Sequence, residues 1–294
     1  MRVPVLATAA LIILAGVAHA DGYLVNSPVK PGPSGWQFQF TPYGWVPWVN
    51  GDATVRGRNF EVSETPVQVL ESLDFAWMSY MQARRGPVTL FSDVIYADVS
   101  NSDSFATSKT FSRHVSGTLG AALSSDYRYW IVEAGAMYET NRWRLGNTYG
   151  GETDTWLEML GGGRYWHQEL DVDVALSGTL NVDGLVISGS RALARSGGVD
   201  WIDPFIGLRL HYKPTAGEEF IVRGDIGGFG LGSQFTWQAI ATYNWFLFQH
   251  DGLTVDGYAG WKALSVDYDE GTGVGRYEFD ALQQGPVLGL TGRF

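Results

Sequence analysis

From Trp36 to Phe294 apolar and polar residues alternate with a period of two, in segments of about 10 to 15 residues separated by turn-forming clusters. The first segment, Trp36 to about Trp48, sets Trp36, Phe38 and Phe40 on one face and Gln37, Gln39 and Thr41 on the other. The second, Phe75–Arg85, sets Trp77, Met81 and Ala83 against Tyr80, Gln82 and Arg84. Gly86-Pro87 then turns the chain into a third, Val88 to about Val99. Tyr127–Glu139 and Thr155 to about Leu170 follow. The C-terminal third alternates most regularly, over Trp201–Lys213, Phe220–Gly230, Phe235–Phe248, Leu253–Tyr268 and Tyr277–Phe294.

Each segment reaches the ~9–11 residues that a tilted strand needs to cross a bilayer. Strands with one apolar and one polar face, in even number, predict an all-β fold: a closed antiparallel transmembrane β-barrel of about ten strands. A count of twelve stays open, because Thr110–Leu123 also alternates, weakly. With both termini in the periplasm, Arg85-Gly86-Pro87, Lys213–Glu218 and Gln249–Gly252 are short periplasmic turns. The stretches 49–74, 101–126 and 171–200 are the longer extracellular loops. Asn141–Asp154 is long for a periplasmic turn. Within the first loop, Thr65 as N-cap and Pro66 at the first helical position predict a short helix over 65–73.

The two ends bear on location. Arg2, an apolar run from Val3 to about Val17, and Ala18-His19-Ala20 form a secretory signal peptide over residues 1–20, with cleavage after Ala20. Residues 21–35 then make a periplasmic N-terminal segment and 36–294 the barrel. At the other end the period-2 pattern runs to the last residue, where most chains fray into polar tails. A final strand closed by Phe294 resembles the C-terminal signature of bacterial outer-membrane barrels, which implies recognition by the barrel-assembly machinery.

Composition narrows the function classes. The chain has no cysteine, so disulfides do not hold the fold. A formal net charge of -11 argues against nucleic acid as a partner, since phosphate binding requires a basic face. Aromatic residues at 14% beside 38 glycines exclude a disordered chain and suit a barrel. The tryptophans, among them Trp36, Trp45, Trp48, Trp77, Trp130, Trp156, Trp166, Trp201, Trp245 and Trp261, fall mostly near strand ends and read as interfacial girdles.

Opposite the apolar faces stand the charges expected to line the lumen: Arg84, Asp93, Glu133, Glu158, Arg164, Asp203, Arg209, Arg223, Asp225 and Lys262. Their signs nearly balance, so a network of arginine–carboxylate pairs is expected, either closing the barrel or lining a narrow polar pore. His167, in Tyr165-Trp166-His167-Gln168-Glu169, is the one candidate general base near carboxylates, but no serine stands beside it. No catalytic residue, metal site or cofactor is assigned, because no histidines or carboxylates stand at ligand spacing. Arg223-Gly224-Asp225 falls mid-strand, where it reads as an ion pair on one face rather than an adhesion motif.

Several pieces carry a wider resemblance. They are Ala83-Arg84-Arg85-Gly86, Asp93-Val94-Ile95-Tyr96-Ala97-Asp98, Gly163-Arg164-Tyr165-Trp166, Trp201–Arg209, Arg223–Gly230, Gly257-Tyr258 and Gly285–Phe294. In this order the chain resembles a porin-like family of uncharacterised proteobacterial outer-membrane β-barrel proteins. Trp261-Lys262 departs from the Gly-Tyr-Arg strand of that pattern. The resemblance implies a bacterial outer-membrane location, with outer-membrane lipid and lipopolysaccharide as surroundings, and no established activity. The expected function is a narrow porin-like channel or a structural surface barrel, not an enzyme, with its ligand unknown. The alternatives are a lipid-modifying or proteolytic enzyme around His167, or a receptor or adhesin working through the outer loops.

Overall fold

The computed structural model of the protein describes residues 25–26, 35–55, 58–112, 115–146, 152–182, 185–273 and 276–294. The signal peptide, its cleavage site and most of the expected periplasmic segment lie outside the described residues. The elements are β1 (Val25–Asn26), β2 (Gln37–Trp45), β3 (Trp48–Val55), β4 (Arg58–Glu64), α1 (Pro66–Glu71), β5 (Leu73–Arg85), β6 (Val88–Ser112), β7 (Val115–Gly146), β8 (Glu152–Val182), β9 (Leu185–Thr215), β10 (Glu218–Gly227), β11 (Phe235–His250), β12 (Leu253–Glu270) and β13 (Tyr277–Arg293).

Every described strand pairing is antiparallel and the sheet closes on itself. Ten strands form the wall, since β2 and β3 together make one of them, bent at Val46-Pro47. β2 pairs with the last part of β13 and β3 with the first part. At the end of the chain, Phe38 and Phe294 exchange both backbone hydrogen bonds, at 2.8 and 3.0 Å. β1, on β7, and β4, on β3, are additional to the wall.

The wall has one interruption. β2 pairs with β5 only from Gln37↔Arg84 to Pro42↔Ser79, and above Pro42 no ladder joins them. There the Trp45 N–H turns to the Met78 sulfur at 3.2 Å. Pro42 and Pro47 lack the N–H groups that a continuous ladder would use.

Two sequence expectations are corrected. The stretches 101–126 and 171–200 are not loops: β6–β9 continue through them as paired strands, from Asn101↔Ser125 to Ser112↔Val115 and from Asp171↔Ser196 to Val182↔Leu185. At ~3.4 Å per residue this four-stranded sheet stands roughly 40 Å beyond the wall. Thr110–Leu123 therefore adds no barrel strand. The long turn expected at Asn141–Asp154 shrinks, because β7 runs to Gly146 and β8 starts at Glu152. The helix forms as expected, with Thr65 and Gln68 making a reciprocal capping box and Pro66 in its first turn.

Outward-facing residues define a belt. Trp77, Tyr96 and Trp130 stand in register on β5, β6 and β7, and Trp48 stacks on Trp261 with centroids 5.7 Å apart. Toward the short-turn end, Tyr212, Phe220 and Tyr243 form a second aromatic row. Between them Met81, Leu90, Met159, Leu208, Val222 and Leu288 are exposed, an arrangement that suits lipid. On the loop side the belt ends in a row of exposed carboxylates, Glu61, Asp52, Asp280 and Asp267, adjacent across β4, β3, β13 and β12. A closed barrel with such a belt is consistent with a bacterial outer membrane.

Candidate functional site

The alternation that turns apolar residues outward turns their neighbours into the lumen. Nine of the ten expected lumen charges are buried, from 0% to 5% exposed. Arg84 is the tenth, with a side chain 17% exposed. The structure joins all of them but Asp203 into ion pairs rather than leaving them along a water path.

The centre is a five-residue cluster from four strands. Arg164 on β8 donates to Glu133 on β7 at 2.8 Å and to Asp225 on β10 at 2.7 Å. Arg223 donates to the same two carboxylates, at 2.8 Å to Glu133 and 2.9 Å to Asp225. Gln238 on β11 adds an amide donor to Glu133 at 3.0 Å. The guanidinium of Arg223 also lies over Phe91 and Phe205. Those rings sit where Gly135 and Gly162 face each other across β7 and β8. A Cβ on Gly135 would come within 3.0 Å of the Phe91 ring and closer still to the β8 backbone.

A second group lies toward the short-turn end. Arg209 donates to Glu158 at 2.6 Å and to the Tyr80 hydroxyl at 2.9 Å. Arg84 reaches Glu158 at 3.4 Å and also contacts Glu139, which Arg142 bonds at 2.8 Å. His211 stands between Glu219, at 2.7 Å, and Glu158, at 3.2 Å, stacked on Trp156. Lys262 and Asp93 pair at 2.9 Å, with the Tyr43 hydroxyl donating to Asp93 at 2.7 Å. Of the ten lumen charges only Asp203 lacks an opposite partner among the described residues; burial in a low dielectric demands compensation, and hydrogen bonds from Ser233 and Trp201 supply it there.

Above these networks the lumen is filled by apolar and aromatic side chains. Trp45, Ile95, Ile131, Trp166, Trp201, Leu264 and Tyr268 are each at most 6% exposed and belong to one cluster. Trp201 stacks between Trp166 and Tyr268, at centroid distances of 5.4 and 3.9 Å. The turn after β10 closes over it. Ser233 donates from N and Oγ to Asp203, both at 2.6 Å, and accepts from the Trp201 indole at 2.9 Å. Gly228 and Gly230 hold positive φ in that turn. A Cβ on Gly232 would strike the Asp203 carboxylate and the Ile202 backbone.

Inward placement corrects the girdle reading for four tryptophans. Trp45, Trp156, Trp166 and Trp201 are inside the barrel, at 1% to 8% exposure, whereas Trp36, Trp48, Trp77, Trp130 and Trp261 face outward. Strand parity carried the signal: Trp166 shares a face with Arg164, and Trp201 with Asp203. Glu139, Tyr43, Gln238 and His211 are further members of the networks, on the same inward parity.

His167 faces outward. Its ring lies near Tyr165, at a centroid distance of 6.5 Å, and beside Trp130 across the β7–β8 ladder. It is therefore on the opposite side of the wall from Glu133, Glu158 and the rest of the lumen charges. His250 is exposed at the end of β11, and His114 lies outside the described residues.

On the short-turn side the networks surround a chamber of about 700 Å3, bordered by Trp36, Phe38 and Phe294 at its mouth and by Tyr43, Tyr258 and Lys262 at its inner end.

No family model matches the chain. No curated protein matches it either. Among solved structures, Ail, the attachment invasion locus protein of Yersinia pestis, aligns at 9% identity and a TM-score of 0.32, covering 89% of this chain and 100% of that one. A FadL homologue of Pseudomonas aeruginosa aligns at 9% identity and 0.24, covering 88% and 89%. The toluene transporter TbuX of Ralstonia pickettii aligns at 6% and 0.25, covering 91% of each chain. Likenesses this remote say nothing of what the chain does.

Proposed function

We propose that the protein is an exported outer-membrane barrel, with residues 1–20 removed as a signal peptide, that serves as a closed structural surface barrel rather than an open channel. The observation carrying this reading is the aromatic and aliphatic layer across the lumen, in which Trp45, Trp166, Trp201, Leu264 and Tyr268 are buried together. A water path would have to cross it, and a void too small for water gives no conduction. The charges Arg84, Asp93, Glu133, Glu158, Arg164, Asp203, Arg209, Arg223, Asp225 and Lys262 then close and register the barrel instead of selecting ions. Lipid and lipopolysaccharide surround the belt, and the assembly machinery reads the strand that ends in Phe294. No catalytic step is part of this reading, since His167 lies outside the wall, away from the lumen carboxylates.

A second role, recognition at the cell surface, is favoured by one feature. The four-stranded sheet of β6–β9 extends far past the rest of the wall and presents backbone edges on β6 and β9 that the described strands leave unpaired there. Such edges are templates for strand addition by a partner. Proteoliposome swelling tests the main reading: vesicles carrying the folded barrel should swell in isosmotic arabinose no faster than empty ones. Swelling at the rate of an open porin would contradict it.

A further inference from the structure

The chamber at the short-turn end has an uneven charge. Arg84, Arg142, Arg209, Lys213 and Arg293 border it, whereas Glu139 and Glu158, which neutralise the first three, lie behind them and do not. The acidic side chains that do reach the chamber are already answered. Asp93 is held by Lys262 and Tyr43, and Glu219 by His211 at 2.7 Å and Arg293 at 2.9 Å. Lys213 is different: it borders the chamber and acts electrostatically on Glu219, but among the described residues it makes no ion pair, since Glu219 is held by His211 and Arg293.

Two polar groups of bordering residues are also unpartnered. The amide nitrogen of Asn244 and the indole nitrogen of Trp156 are buried and make no hydrogen bond among the described residues. Both are donors. Buried donors without partners are uncommon and costly. Lys213, without an ion pair, and two spare donors border the same space, and the oxygens of an anion would answer all three. Ile221 and Ile240 line the wall alongside, with Phe38 and Phe294 at the mouth, so the rest of the occupant meets apolar surface. The volume falls in the ~300–1,000 Å3 range of small-molecule sites.

We propose that this chamber is a binding site for a small organic anion, a phosphate monoester or carboxylate on a compact apolar frame. The head group lies between Lys213, Asn244 and Trp156, and the frame against Ile221 and Ile240. The occupant is a solute from the aqueous space at the short-turn end, because the mouth lies among the turns there rather than at the sealed loop end.

Isothermal titration of the full mature barrel in neutral detergent tests this, with phenyl phosphate, inorganic phosphate and benzyltrimethylammonium as probes. Phenyl phosphate should bind saturably at one site and more tightly than inorganic phosphate. The K213M variant should bind it about ten-fold more weakly, the loss of one charge-assisted contact. K213R should restore binding, and R276A, at the opposite end, should leave it unchanged. Heat-modifiable gel migration confirms that each variant is folded. Absence of saturable phenyl phosphate binding, equal binding of benzyltrimethylammonium, or an unchanged affinity in folded K213M would overturn the site. Inorganic phosphate binding as tightly as phenyl phosphate would overturn the apolar part of the assignment.

Discussion

Lys262 on β12 reaches Asp93 on β6 at 2.9 Å, although three wall strands stand between β12 and β6. The bond spans the lumen rather than running along a ladder, and both residues are buried, at 2% and 4% exposure. Removing one member leaves the other charge unanswered. K262M should therefore destabilise the folded barrel by about 3–5 kcal/mol, and the double variant K262M/D93L by less, because no orphan charge remains. Urea unfolding followed by tryptophan fluorescence measures both. A double variant as unstable as K262M would show that the cost is packing rather than charge.

On the outer face, the carboxylate row gives a pH dependence. Burial, and then Asp267, Asp52 and Glu278, push the Asp280 carboxyl above its ordinary range. Burial, then Glu278 and Asp269, do the same at Asp267. A carboxyl raised in the folded state favours folding while protonated, and that stability is lost as pH rises through the raised value. D280N should thus raise the unfolding temperature at neutral pH. The gain should disappear below about pH 3.5, where the native carboxyl is protonated in both states. Thermal melts at pH 7.5 and at about pH 3 read the difference, and an equal gain at both would contradict the charge argument.

Gly257 supports an aromatic on the neighbouring strand. A Cβ there would stand 2.3 Å from the Trp245 indole. G257A should cost about 1–3 kcal/mol through overpacking. W245A/G257A should cost less than the two single changes added together, since the clash needs both residues. Strict additivity in the double-mutant cycle would refute the contact.

The wall was legible because lipid and lumen impose opposite demands on successive residues, so Ile202, Ile206 and Leu208 alternate with Asp203, Gly207 and Arg209. The same logic reached the helix, where Thr65 and Pro66 carry local capping chemistry. It failed beyond the wall. The stretch 101–126 alternates only weakly, and in 171–182 Val172, Val174, Leu176 and Leu180 alternate with Asp171, Asp173, Ser177 and Thr179, a strand pattern that the loop expectation did not use. It failed also for Trp45, Trp156, Trp166 and Trp201, because indole suits both an interface and a sealed lumen, and only parity separates the two. The chamber was not legible at all. Lys213 belongs to a short polar turn in the sequence, and its lack of an ion pair depends on His211 and Arg293 holding Glu219.

Phe294 closes the barrel on Phe38, and its ring is 61% exposed. Deleting it removes both backbone bonds at the seam and the terminal aromatic that the assembly machinery is proposed to read. The heat-modifiable form recovered from outer membranes should fall several-fold, while refolding in detergent micelles changes less. Normal membrane levels of the truncated chain would contradict a signalling role.

Conductance across a planar bilayer tests the closed lumen most directly. The folded wild-type barrel should give no ion steps at moderate voltage. A W166A/W201A variant, with two rings of the sealing layer removed, should give steps if it folds to the same heat-modifiable form. Stable, frequent openings in the wild type would contradict the account.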